Sequence, residues 1–197
     1  MFVIKFKTYI IWRKTVKHEI FDKTVKIVDT DITFEHIYSK NYIPKEYMED
    51  IKKANLLIIP DEGLWDTKDV FFPETTREFF EFIRDYSDKD VIADIAISDE
   101  DFQRVELHSA VIEVATIIVE SAIFDIAIGI IASFLYDLVK KYRRTKEETS
   151  AKVKIITKET KTKKSKMITY EGPVSGIKDA LDQASKEIFS ESKNYDN

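Results

Sequence analysis

The sequence predicts an α+β fold: a mixed or antiparallel sheet packed on a long apolar central helix, followed by a C-terminal β-hairpin and an amphipathic helix. Three observations carry this. Short β-branched runs recur through the first hundred residues, a Pro-free apolar stretch runs from about Glu106 to Lys140, and Val174, Ile177, Leu181, Ala184 and Ile188 repeat at three- and four-residue spacing. With 197 residues, 44% of them hydrophobic, the chain is long enough to bury roughly 70% of its unfolded surface as one domain. That domain is expected over 1–189, with a basic linker at about 140–152 and a flexible tail at 190–197.

Taken in order, Phe2 to Trp12, Thr24 to Val28 and Asp31 to Ile37 are rich in β-branched and aromatic residues and read as an opening antiparallel unit. Pro44 opens a helix over 45–54. The run Leu56-Leu57-Ile58-Ile59, closed by Pro60, is continuous rather than alternating, the mark of a strand buried on both faces. Residues 61–73 have no steady period and read as a structured loop. Thr75 or Thr76 then caps a helix ending near Tyr86, with Phe79, Phe80, Phe82 and Ile83 as its apolar stripe. A strand follows over Val91 to Ile97, and Ser98-Asp99-Glu100-Asp101-Phe102 marks a turn or a helix start.

The stretch from about 106 to 140 would span about 50 Å as one helix. Ser121, Asp125, Gly129 and Ser133 stand four residues apart on one of its faces, and small residues so spaced permit close helix approach. Lys140, Lys141, Arg143 and Arg144 follow as a cationic flank. Such a helix must be surrounded by its own domain, a second subunit or lipid. Asp125 weighs against a simple membrane span, because a central carboxylate costs at least about 2.5 kcal/mol on insertion scales. Further on, Val153 to Thr157 and Met167 to Tyr170 form a hairpin across a lysine-rich turn, and Gly172-Pro173 opens the last helix.

Several chemistries lack their residues. The chain has no Cys, which removes disulfides, thiolate metal sites and cysteine nucleophiles and suits a reducing compartment. Lys5 and Lys7 interrupt the apolar N-terminus, so it does not read as a secretory leader. The three histidines, His18, His36 and His108, show no i, i+4 spacing, and no Gly-rich phosphate loop or nucleophile elbow occurs. Pro60-Asp61 with Glu159 and Lys161 supplies the residue types of a metal-dependent nuclease, yet about a hundred residues separate them. His108 near Asp99, Glu100, Asp101 and Glu106 has the residue types of an acid/base or hard-metal cluster, but acids at a helix start account for the same residues.

Charge is distributed unevenly. Between Pro60 and Glu106 there are fifteen acidic residues against five basic, and between Lys140 and Lys166 twelve basic against three acidic. Such segments steer charged partners. The expected partner-binding residues are therefore Asp61, Glu62, Trp65, Asp66 and Asp69 in the acidic middle and Lys161, Lys163 and Lys164 in the hairpin. Helix association or membrane contact is expected at Ser121, Asp125, Gly129, Ser133, Lys140, Lys141, Arg143 and Arg144.

The leading expectation is a non-enzymatic cytoplasmic interaction protein, of a regulatory, adaptor or immunity type, that takes a protein partner and can self-associate through the long helix. No cofactor and no metal are expected. The first alternative is an effector recruited to, or acting on, a membrane surface through the 106–140 helix. The second is a metal-dependent nuclease or hydrolase built on Asp61, Asp94 and Asp101. An isoelectric point near 5.4 and few aromatics among the lysines beyond Tyr142 and Tyr170 argue against a nucleic-acid partner.

Overall fold

The computed structural model describes residues 23–63, 69–86, 90–105, 111–142, 149–158 and 164–190. In chain order these form β1 (Thr24–Thr30), α1 (Phe34–Tyr38), a 3₁₀ turn (Lys45–Tyr47) running into α2 (Met48–Ile51), β2 (Leu56–Ile59), β3 (Asp61–Glu62), β4 (Val70–Pro73) and α3 (Thr76–Asp85). Then come β5 (Ala93–Ile95), β6 (Arg104–Val105), β7 (Val111–Glu113), β8 (Thr116–Val119), a 3₁₀ turn (Ser121–Ile123) and α4 (Phe124–Lys141). The chain closes with β9 (Ser150–Lys158), β10 (Ser165–Pro173), a 3₁₀ turn (Val174–Gly176) and α5 (Ile177–Ser190).

The main sheet is mixed, with order β1-β10-β9-β8-β2-β5, and β7 continues the line of β8 along β9. All four residues of β2 are buried, because β8 pairs with it antiparallel, β5 parallel, and both its faces are covered. Alternation assigns the faces. Leu56, Ile58, Ile117, Val119, Val153, Ile155, Ile168 and Tyr170 join the large core that contains α3, α4 and α5. Leu57, Ile59, Ile118 and Ile156 point the other way, onto Ile37 of α1, Ile51 of α2, Ile43 and Ala54. A second, three-stranded sheet of order β3-β4-β6 stands beside the main one.

Pairing of β8 with β9 is parallel, Ile117 opposite Ile155, so the chain must cross over between them, and α4 is that crossover. Ten apolar residues of α4 are buried, among them Ile128, Ile131, Phe134, Leu135 and Leu138. Phe134 meets Phe79 of α3 with ring centroids 4.9 Å apart and Phe82 at 5.5 Å, while Phe124 meets Phe189 of α5 edge-on at 5.6 Å. At the C-terminal end, buried Tyr170 donates its hydroxyl to the Pro173 carbonyl at 2.5 Å and fixes the turn from β10 into α5. Gly172 is required in that turn, since a Cβ there would lie 3.0 Å from Lys23 Cα.

The expected helix from 106 to 140 is shorter than its sequence promised. It starts with the 3₁₀ turn at Ser121, and 111–119 hold β7 and β8 instead. Seven of those nine residues are β-branched and lose side-chain freedom in a helix, a preference that outweighs the absence of Pro. Asp31 to Ile37 is likewise not a strand: Thr33 caps α1, its Oγ1 accepting from the His36 amide at 3.0 Å. The expected loop over 61–73 supplies β3 and β4, and the helix over 45–54 is split between the 3₁₀ turn and α2. The 75–86 and C-terminal helices, the β2 strand and the hairpin stand where the sequence placed them to within a few residues. Phe2 to Trp12, 106–110, residues 143–148 of the basic linker and 191–197 lie outside the described residues.

Gly129 offers a test of what surrounds α4. A Cβ there would meet only Tyr86 Oη at 3.9 Å, an ordinary contact, and Ala favours a helix interior over Gly. Gly129→Ala should therefore raise the unfolding free energy by about 0.5–1 kcal/mol in urea titration. A loss of stability, or a drop in molecular mass by light scattering, would mean that another helix packs at this glycine.

Candidate functional site

The face of the main sheet opposite α4 is covered unevenly. Its apolar half lies under α1 and α2, and its other half carries charged side chains that line a groove against the small sheet. A β-bulge assembles this groove. Glu113 pairs with Lys152 and Ile117 with Ile155, so three residues of one strand, 114–116, stand opposite two of β9. Val114 and Ala115 both turn into the α4 core, leaving Glu113 and Thr116 together on the other face. Without the extra residue, alternation would put those two side chains on opposite faces.

Four strands contribute to the result. Lys152 and Lys154 stand two apart on β9 and so share the face; Asp61 is delivered by Pro60 as β2 ends. Lys154 Nζ donates to Asp61 Oδ1 at 3.0 Å, and Thr116 Oγ1 reaches the same oxygen at 3.5 Å. Lys152 Nζ donates to Glu113 Oε1 at 3.3 Å. The Glu113 main chain is held in turn, its carbonyl accepting from Thr75 Oγ1 at 2.6 Å. The four charged side chains keep between 27% and 36% of their surface exposed, so each pair is sheltered yet within reach of a partner.

The groove has two lobes. One, of about 250 Å³, is floored by Phe71, Phe72, Pro73 and Val105. The other, of about 320 Å³, is floored by Ile32, Ile37, Ile59, Ile156 and Met167, with His36 and Lys40 on its wall. Asp61, Glu62, Thr116 and Lys154 belong to both lobes. Glu62 accepts from Lys40 Nζ at 2.9 Å and from Tyr42 Oη at 3.1 Å. Burial, with Glu62 beside it, holds the Tyr42 phenol well above its ordinary pKa, so it remains a donor.

Of the sequence-expected partner residues, Asp61 and Glu62 are in this groove. Asp69 is exposed just before β4, and Lys164 lies at the start of β10, 3.9 Å from Asp29, which Lys166 also binds at 2.7 Å. Trp65, Asp66, Lys161 and Lys163 lie outside the described residues, as do Arg143, Arg144, His18, His108 and Glu159. On the α4 side, Asp125 accepts from Ser185 Oγ of α5 at 2.9 Å. Gly129 faces Tyr86, and Ser121 and Ser133 are partly exposed. Lys140 is exposed, and Lys141 binds Glu78 of α3 at 2.6 Å.

The carboxylates proposed for a nuclease stand apart. Asp61 is in the groove, Asp94 shares an acidic recess of about 320 Å³ with Asp50, Asp99 and Glu100, and Asp101 accepts from Ser98 Oγ at 2.9 Å. Among the described residues no group of three or more His, Cys, Asp or Glu side chains is arranged to hold a metal ion. Sequence reading missed Glu113, Thr116, Lys152 and Lys154. Two of these were within reach: Lys152-Val153-Lys154-Ile155 alternates strictly, which marks one polar and one apolar face. No family model matches the chain, and neither curated proteins nor solved structures provide a match.

Asp94 carries a pH prediction. Burial raises its pKa, opposed by the hydrogen bond from the Ile95 amide and assisted by Asp50. A carboxyl whose folded pKa lies above its unfolded value of about 3.9 favours folding more as pH falls through the folded pKa, and opposes it at neutral pH. Asp94→Asn keeps an acceptor for the amide and should raise stability at pH 7 while removing that acid-side gain. Chemical denaturation across pH 3–7 checks this; a variant less stable than wild type at pH 7 would contradict it.

Proposed function

We propose that this chain is a non-enzymatic interaction module that recognises a partner protein through the paired charges of the groove between its two sheets. The carrying observation is the arrangement of Asp61–Lys154 and Glu113–Lys152: two ion pairs, partly sheltered, that share β9 and lie on the half of the sheet face that α1 and α2 leave uncovered. Half-exposed pairs of this kind contribute only about 0–1 kcal/mol to folding, so stability alone accounts poorly for holding four charges in one cleft. A docked partner changes their weight. It excludes water, lowers the local dielectric and meets side chains whose geometry is already set, which saves ordering entropy on binding. The Cys-free composition suits a reducing cytoplasm.

The membrane-recruited alternative rests on one observation: Ser121–Lys141, with mean hydropathy 2.0 over an 18-residue window, is long and apolar enough to cross a bilayer by length and composition. The same segment already packs against the sheet, α3 and α5, so lipid contact requires it to leave that core. Self-association through its small-residue face belongs to the same class of reading, since Asp125 and Gly129 already face α5 and α3.

A photoreactive phenylalanine analogue at Phe71, beside the groove, should give a protein adduct in an extract of the organism that makes this chain. The same analogue at Ile92, exposed on the far edge, should not. The adduct should fade as salt rises and be lost in a Lys152→Glu/Lys154→Glu variant. An adduct indifferent to both would contradict the proposal.

A further inference from the structure

We infer that the groove takes an extended peptide segment in which apolar side chains flank residues of both charge signs, an inference that rests on the interaction reading above. The lining is ordered along its length. Phe71, Pro73 and Val105 line one lobe with Glu113 and Lys152 beside them, Ile32, Ile156 and Met167 line the other with Lys40 beside them, and Asp61, Glu62, Thr116 and Lys154 are common to both lobes. An apolar socket in each lobe, with charged groups beside and between them, matches an extended chain, whose alternate side chains fall on one side about 7 Å apart.

The balance of charge selects a peptide over a single-sign polymer. Three cations, Lys40, Lys152 and Lys154, share the groove with three carboxylates, Asp61, Glu62 and Glu113. A nucleic acid or an anionic membrane would be repelled by the carboxylates as much as drawn by the lysines. A peptide carrying an acidic and a basic residue instead exchanges partners: its carboxylate takes Lys154 as its cation takes Asp61. Thr116 Oγ1 stays beside Asp61 Oδ1 during that exchange, and Tyr42 continues to donate to Glu62. Each group keeps a partner, so no charge is left desolvated and alone, the outcome that would cost most.

The test is selection from a phage-displayed library of random twelve-residue peptides on the immobilised full chain, followed by affinity measurement of the enriched peptides. Enriched sequences should place apolar residues on either side of charges of both signs, and Lys154→Glu should weaken their binding at least tenfold. The exchange variant Asp61→Lys/Lys154→Asp keeps the ion pair and protects against a simple folding failure. It should fold, as read by circular dichroism and thermal midpoint, and prefer peptides with the order of charges reversed. No enrichment above an unrelated protein would overturn the inference, and so would peptides that bind both variants as tightly as wild type, or displacement of the peptides by duplex DNA at equal charge. If the Phe71 adduct forms but no peptide is enriched, the interaction reading stands and the peptide inference falls; if neither appears, both fall.

Discussion

The parallel pairing of β8 with β9 is the constraint on which the rest of the structure depends. Two strands that run the same way cannot be joined by a tight turn, so the intervening chain has to climb over one sheet face. Here it does so as α4, whose apolar surface is nearly complete and so demands neighbours on most sides. The sheet supplies one, α3 with Phe79 and Phe82 another, and α5 with Phe189 a third. Larger side chains buried in this way contribute about 1.5–3 kcal/mol each, which is the scale on which the backbone ordering of the helix is offset. Asp125, the residue least suited to such an environment, is placed where the helix meets α5 and solvent, with the Ser185 hydroxyl as donor.

Because α4, α3 and α5 all sit on one side, the opposite face of the sheet is left to a short segment. Ile37 of α1, Ile51 of α2, and Ile43 and Ala54 in the connecting segments cover Leu57, Ile59, Ile118 and Ile156 together with Ala96. Beyond them the same face turns polar, and the bulge at Val114 and Ala115 adds Glu113 and Thr116 to the row begun by Lys152 and Lys154. The groove is thus a consequence of how the core is divided. Its charges are neutralised in pairs while the chain is alone, which keeps a cleft of six charged groups compatible with a stable fold.

Much of this was legible in the sequence. A run of four apolar residues between Asn55 and Pro60 is too short for a buried helix and reads as a doubly covered strand, and β2 is one. The three-and-four rhythm of Val174 to Ile188 specified α5 because an exposed amphipathic helix leaves its period unmixed. The 106–140 stretch was harder to read, because strand residues buried on both faces and helix residues buried on all sides are both continuously apolar, and periodicity does not separate them. Composition separates them in part: seven of the nine residues over 111–119 are β-branched, against five of the eighteen in α4, where Ala, Phe and Leu share the apolar positions with Ile. The groove was half legible. Asp61 and Glu62 stood out by charge, whereas their partners Lys154 and Lys40 come from ninety-three residues later and twenty-two earlier, separations that only the fold closes. The bulge left no local signature, since both its residues are small or apolar and no glycine marks it.

α4 is the internal crossover of this domain, and the groove proposed for partner binding lies on the far side of the sheet. Amide hydrogen exchange of residues 127–135, followed with and without anionic vesicles, tests that most directly. These amides should exchange only through global unfolding, at rates that vesicles leave unchanged. Exchange through a cheaper local opening, or protection that shifts when vesicles are added, would show that α4 leaves the core and would contradict the account.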